Sequence, residues 1–115
     1  MHVVDVGINN DRIGSSRPFA ALARDLERSR AAGFRLVEID ITPFHLVVNG
    51  ELHRPSLDEL LAVTRSFDLA YTVHGLLRLN LAYDSRPELC ARIMRAQLDV
   101  CREIGAPVLG IHSGL

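Results

Sequence analysis

Apolar residues recur along the chain with two alternating periods. Short runs at about residues 2 to 8, 35 to 41, 69 to 74 and 107 to 112 are rich in Val, Ile, Leu or Tyr and have the length of buried strands. Three stretches between them repeat at helical spacing. The first begins near Pro18, puts Phe19, Leu22, Ala23 and Leu26 on one face and ends at Gly33, where a left-handed cap suits glycine. The second opens with Ser56-Leu57-Asp58-Glu59, a capping-box pattern, followed by Leu60, Leu61, Thr64 and Phe67. The third opens with a similar box, Ser85-Arg86-Pro87-Glu88, and runs to Gly105, with Ala106-Pro107 stopping it. The order β-α-β-α-β-α-β predicts an α/β fold of parallel strands with right-handed crossovers. Between residues 42 and 55, Val47-Val48-Asn49-Gly50-Glu51-Leu52 predicts a small hairpin, since Asn-Gly suits a two-residue turn.

Alternation along each strand sorts its side chains by face. Val37, Ile39 and Ile41 share one face of the second strand, and Glu38 and Asp40 share the other. His74 lies with Thr72 in the third strand, His112 with Gly110 and Val108 in the fourth, and Asp5, Gly7 and Asn9 form the matching set in the first. Each strand thus has an apolar face and a face that turns polar toward its carboxyl end. A barrel interior carries polar groups at its mouth, whereas a doubly wound sheet is apolar on both faces. The expected architecture is parallel β-α repeats, four strands and three helices, forming the amino-terminal half of a TIM barrel. A whole barrel needs about 250 residues. Residues 1–115 are therefore read as one partial domain, completed by a missing carboxyl-terminal half or by a second copy in a homo-oligomer.

Composition narrows the function classes. Thirteen Lys and Arg against 14 Asp and Glu leave a formal charge of −1, which gives nucleic-acid binding little basis. With 48% apolar and 23% charged residues the chain reads as globular, neither disordered nor membrane-spanning. Two cysteines form no disulfide framework, and the opening residues have no signal-peptide pattern, so a cytoplasmic protein is expected. Cys90 and Cys101 lie 11 residues apart on one helix face, about 16 Å along the axis, and suit the core. Phosphate-binding glycine loops, nucleophile-elbow serines and Cys-rich zinc patterns are absent from the sequence.

The histidines carry the candidate chemistry. His74 in Tyr71-Thr72-Val73-His74-Gly75 and His112 in Gly110-Ile111-His112-Ser113-Gly114 each end an apolar strand and precede a glycine. Adjacent strands lie about 4.8 Å apart, so two imidazoles leaving one end of one face can converge on a divalent ion. Glu38 is the candidate catalytic carboxylate, with Asp40 beside it, and Asn80, in Leu79-Asn80-Leu81, is a candidate substrate contact. His45 and His53 flank the hairpin and read as solvated.

These segments resemble the xylose-isomerase-like TIM-barrel superfamily, which includes sugar phosphate isomerases/epimerases and the endonuclease IV type of apurinic-site nuclease. The carriers are Gly33-Phe34-Arg35-Leu36-Val37-Glu38-Ile39, Tyr71-Thr72-Val73-His74-Gly75 with Leu79-Asn80-Leu81, and Ile104-Gly105-Ala106-Pro107-Val108-Leu109-Gly110-Ile111-His112-Ser113-Gly114. The resemblance implies His74 and His112 as ligands of a divalent ion (Zn, Mn or Mg). Sequence and resemblance lead to a metal-dependent isomerase or epimerase acting on a sugar or sugar-phosphate-like polyhydroxy substrate. An endonuclease IV-like phosphodiester hydrolase and a noncatalytic sugar-binding or assembly module are the alternatives.

Overall fold

The computed structural model describes the backbone of residues 7–10 and the whole of residues 17–76 and 86–111. Its elements run β1 (Gly7–Asn10), α1 (Pro18–Ala31), β2 (Leu36–Asp40), a 3₁₀ turn (Thr42–Phe44), β3 (Val47–Val48), β4 (Glu51–Leu52), α2 (Arg54–Arg65), β5 (Ala70–His74), α3 (Pro87–Ile104) and β6 (Leu109–Gly110). Three longer parallel strands, β1, β2 and β5, make up the sheet, and the two-residue β6 pairs with the outer side of β5. β3 and β4 form a separate antiparallel pair.

Strand order follows chain order, and the helices between the strands pack in one layer, α1 on α2 and α2 on α3. Val37, Ile39, Ile41, Tyr71 and Val73 point into that layer and meet Leu22 and Leu26 of α1, Leu57, Leu60 and Leu61 of α2, and Val100 and Cys101 of α3. Burying each such leucine contributes about 1.5–3 kcal/mol. Phe44 and Leu46, from the second crossover, close the cluster, with Phe44 tilted against Phe19 at 5.1 Å between ring centroids.

The half-barrel reading is corrected by this topology. The chain is a small α/β domain with an open parallel sheet and an added antiparallel pair, and it lacks four equivalent parallel β-α repeats. The crossover from β2 to β5 holds a 3₁₀ turn and a hairpin as well as a helix, and the last strand has only two residues. The polar alternation that suggested a barrel interior has a simpler cause. Among the described residues the helices cover one sheet face, and the other keeps Leu36, Glu38, Thr72 and His74 only half-buried and Ala70 exposed, with Asp40 buried at the turn that leaves β2. An open face accepts polar side chains without enclosing them.

Local signals were followed more closely. Gly33 adopts φ 93°, and the Phe34 N–H turns back to the Ser29 carbonyl at 3.0 Å, ending α1 in the Schellman manner. Asn49 and Gly50 both have positive φ, 54° and 76°, as the two-residue hairpin turn requires. Ser56, by contrast, does not cap α2. The helix starts earlier, at Arg54, because Pro55 occupies its first turn and the His53 ring caps it, Nδ1 accepting from the Ser56 N–H at 3.4 Å. Pro87 likewise opens α3 behind Arg86, which makes no side-chain cap, and Ser85 lies outside the described residues. Among the described residues, no helix is long and apolar enough to cross a membrane.

Candidate functional site

Parallel pairing aligns the polar positions of β2 and β5. Glu38 faces Thr72 and Asp40 faces His74, so these residues crowd the carboxyl end of the two central strands. Carboxyl ends of parallel strands are where open α/β sheets present their ligand sites. In β1, Asn9 is the register partner of Glu38.

Within this group His74 Nδ1 lies 3.3 Å from Glu38 Oε1, at the long end of hydrogen bonding. With its proton on Nδ1 the imidazole donates to the carboxylate. Both side chains are partly open, His74 at 29% and Glu38 at 37%, so solvent or a ligand reaches them. A carboxylate beside an imidazole can move a proton, hold a hydroxyl or orient the ring. Asp40 is more deeply set, and its Oδ1 accepts from the Thr42 N–H at 2.9 Å, so it shapes the turn that leaves β2. Glu38 thus meets the predicted partner strand, while Asp40 has a turn to hold.

Of the residues singled out in the sequence, Glu38 and His74 are brought together. Asn80 and His112 lie outside the described residues. Glu38 against His74 Nδ1 matches the carboxylate–imidazole pattern that orients a metal-bound histidine. Among the described residues no group of three His, Cys, Asp or Glu gathers to hold a metal ion. His45 is exposed in a left-handed turn, and His53 serves as the helix cap.

One contributor escaped the sequence reading. Gln97 is completely buried on α3, where its Oε1 accepts from the Leu76 N–H at 2.8 Å, two residues beyond His74. Its Nε2 and the buried Thr42 Oγ1 have no hydrogen-bond partner among the described residues. Leaving a buried donor unmet costs about 1–3 kcal/mol, against about 1 kcal/mol gained from a typical bond. Gly75 is fitted to this amide, since a Cβ there would stand 2.6 Å from Gln97 Oε1 and 3.0 Å from the Gly110 carbonyl. The signal for Gln97 was in the sequence: Cys90, Met94, Gln97, Cys101 and Ile104 fall at helical spacing, and Gln97 interrupts an otherwise apolar stripe.

A cleft of about 730 Å³ lies at the opposite end of the sheet, where Gly33, Phe34 and Arg35 precede β2 and Asp68 and Leu69 precede β5. It is far along the strands from His74, and the polar constellation carries more chemistry than this open groove. No family model and no curated protein matches the chain.

Proposed function

We propose that the chain carries the proton-transfer site of an isomerase or epimerase acting on a sugar or sugar-phosphate-like polyhydroxy substrate. The observation that carries this reading is the contact between Glu38 and His74 at the carboxyl end of two parallel strands. Interconverting an aldose and a ketose, or inverting a centre next to a carbonyl, requires a base to remove a carbon-bound proton and return it. Glu38 is half-exposed and can take that proton, and His74 holds the carboxylate in place while reaching a substrate oxygen from the same face. A divalent ion held by His74 and His112, when bound, would polarise adjacent substrate oxygens. The resemblance of the strand-end segments to the xylose-isomerase-like superfamily supports the same reading. A homo-oligomer and a cytoplasmic setting belong to it, the latter suiting two buried cysteines that are unbridged.

The test is turnover of aldose–ketose and epimer pairs by the protein and its variants, with metal content measured alongside. Glu38→Gln is expected to lower kcat by about 10²-fold or more. His74→Ala should lower both turnover and bound metal. Unchanged rates in both variants, or no interconversion of any pair by the wild type, would sink the proposal.

A further inference from the structure

We infer that Gln97 is a positioning residue for His74, holding the end of β5 so that the imidazole meets Glu38; this rests on Glu38 and His74 being the working pair. Three hydrogen bonds frame the strand end. The Ile41 N–H donates to the His74 carbonyl at 3.2 Å, the Gly75 N–H to the Gly110 carbonyl at 2.7 Å, and the Leu76 N–H to Gln97 Oε1 at 2.8 Å. The first two run within the sheet and set His74 relative to β2 and β6. Among the described residues the third ties the segment after His74 to the helix layer, where the Leu76 side chain also packs against the core, so it orients the strand end.

Stability does not account well for an amide here. Burial of the unpartnered Nε2 opposes what the single bond to Leu76 gains, and the same helix stripe is otherwise filled by Cys90, Val100 and Cys101. Geometry accounts for it better. Gly75 leaves room for the amide oxygen that a Cβ would displace, so glycine and glutamine are fitted to each other where the backbone leaves His74. The Nδ1–Oε1 separation is already 3.3 Å, and a small rotation of that path opens it beyond hydrogen bonding.

Long-range ¹H–¹⁵N spectra of the full chain with labelled histidine read the ring directly. In the wild type, Glu38→Gln should move the His74 ring ¹⁵N signals, because an amide replaces the carboxylate. In a Gln97→Met background the same substitution should move them less than about half as far. Gln97→Glu, which keeps an oxygen for the Leu76 N–H, should restore the response. Should the Met variant not fold, Gln97→Asn, too short to reach Leu76, takes its place. A merely structural glutamine would lower the melting temperature and leave the ring response intact, and that result, or a wild-type ring indifferent to Glu38→Gln, overturns the inference. Failure of the underlying reading shows separately, as unaltered turnover in Glu38→Gln and His74→Ala while the ring still responds to Gln97.

Discussion

The Tyr71 ring lies in the core and its hydroxyl donates to the Thr64 carbonyl at 2.8 Å, while burial pushes the phenol up to about 12. An unfolded tyrosine ionises near its ordinary value of about 10. The folded state therefore holds its proton longer than the unfolded one, its stability is unaffected below pH about 10, and it falls as the pH rises toward about 12. Tyr71→Phe should lose about 1 kcal/mol at neutral pH and flatten that alkaline decline, as urea midpoints across the pH range would show. Cys101 is governed by the same cause: burial raises its thiol, leaving little thiolate to react. It should modify with a thiol reagent no faster than the chain unfolds, and rapid labelling in the native state would contradict its placement in the core.

The β3–β4 hairpin is an element with too little sheet of its own, two register pairs, and it is held by α3 instead. Arg92 donates to Glu51 at 3.2 Å and to the Asn49 carbonyl at 3.4 Å, and Gly50 is buried where a Cβ would stand 2.7 Å from Leu89 Cδ1. Gly50→Ala must bear both that crowding and φ 76°, so it should cost about 1–3 kcal/mol, whereas an ordinary exposed loop position would show almost nothing in the urea midpoint. The hairpin was legible beforehand because Asn49 and Gly50 carry the local chemistry that positive φ demands. Its docking was not, since α3 is more than thirty residues away and no local signal encodes that contact. The helix caps show the same divide: Gly33 and Gly105 declare their turns by composition, but Ser56 lost the cap of α2 to His53 because Pro55 started the helix a turn earlier. For the candidate site, alternation alone put Glu38 and His74 on one face. Gln97 stayed hidden because a single polar residue on an apolar stripe reads as an exception until its partner, the Leu76 amide, is known.

Across the whole molecule, the barrel expectation failed because face alternation reports which side of a strand is covered and says nothing about closure. A one-layer sheet and a barrel wall place the same polar residues on the uncovered side. The layering has its own consequence for dynamics. β2 lies between β1 and β5, and β5 between β2 and β6, so both central strands are bonded on two sides and carry the fully buried Val37, Ile39 and Val73. Among the described residues the hairpin strands pair only with each other, and the hairpin is docked by the half-exposed Arg92 and by the partly buried Val47 and Leu52 at the edge of the core. Opening it exposes little of the core, whereas freeing a central strand undoes the packing of all three helices. Amides around Val37, Ile39 and Val73 should therefore exchange with solvent only through global unfolding, and those of residues 47–52 at least about tenfold faster by local opening. Equal protection in both would mean that the hairpin is an integral part of the cooperative core, bound far more tightly than two arginine contacts, one buried glycine and the partly buried Val47 and Leu52 can explain.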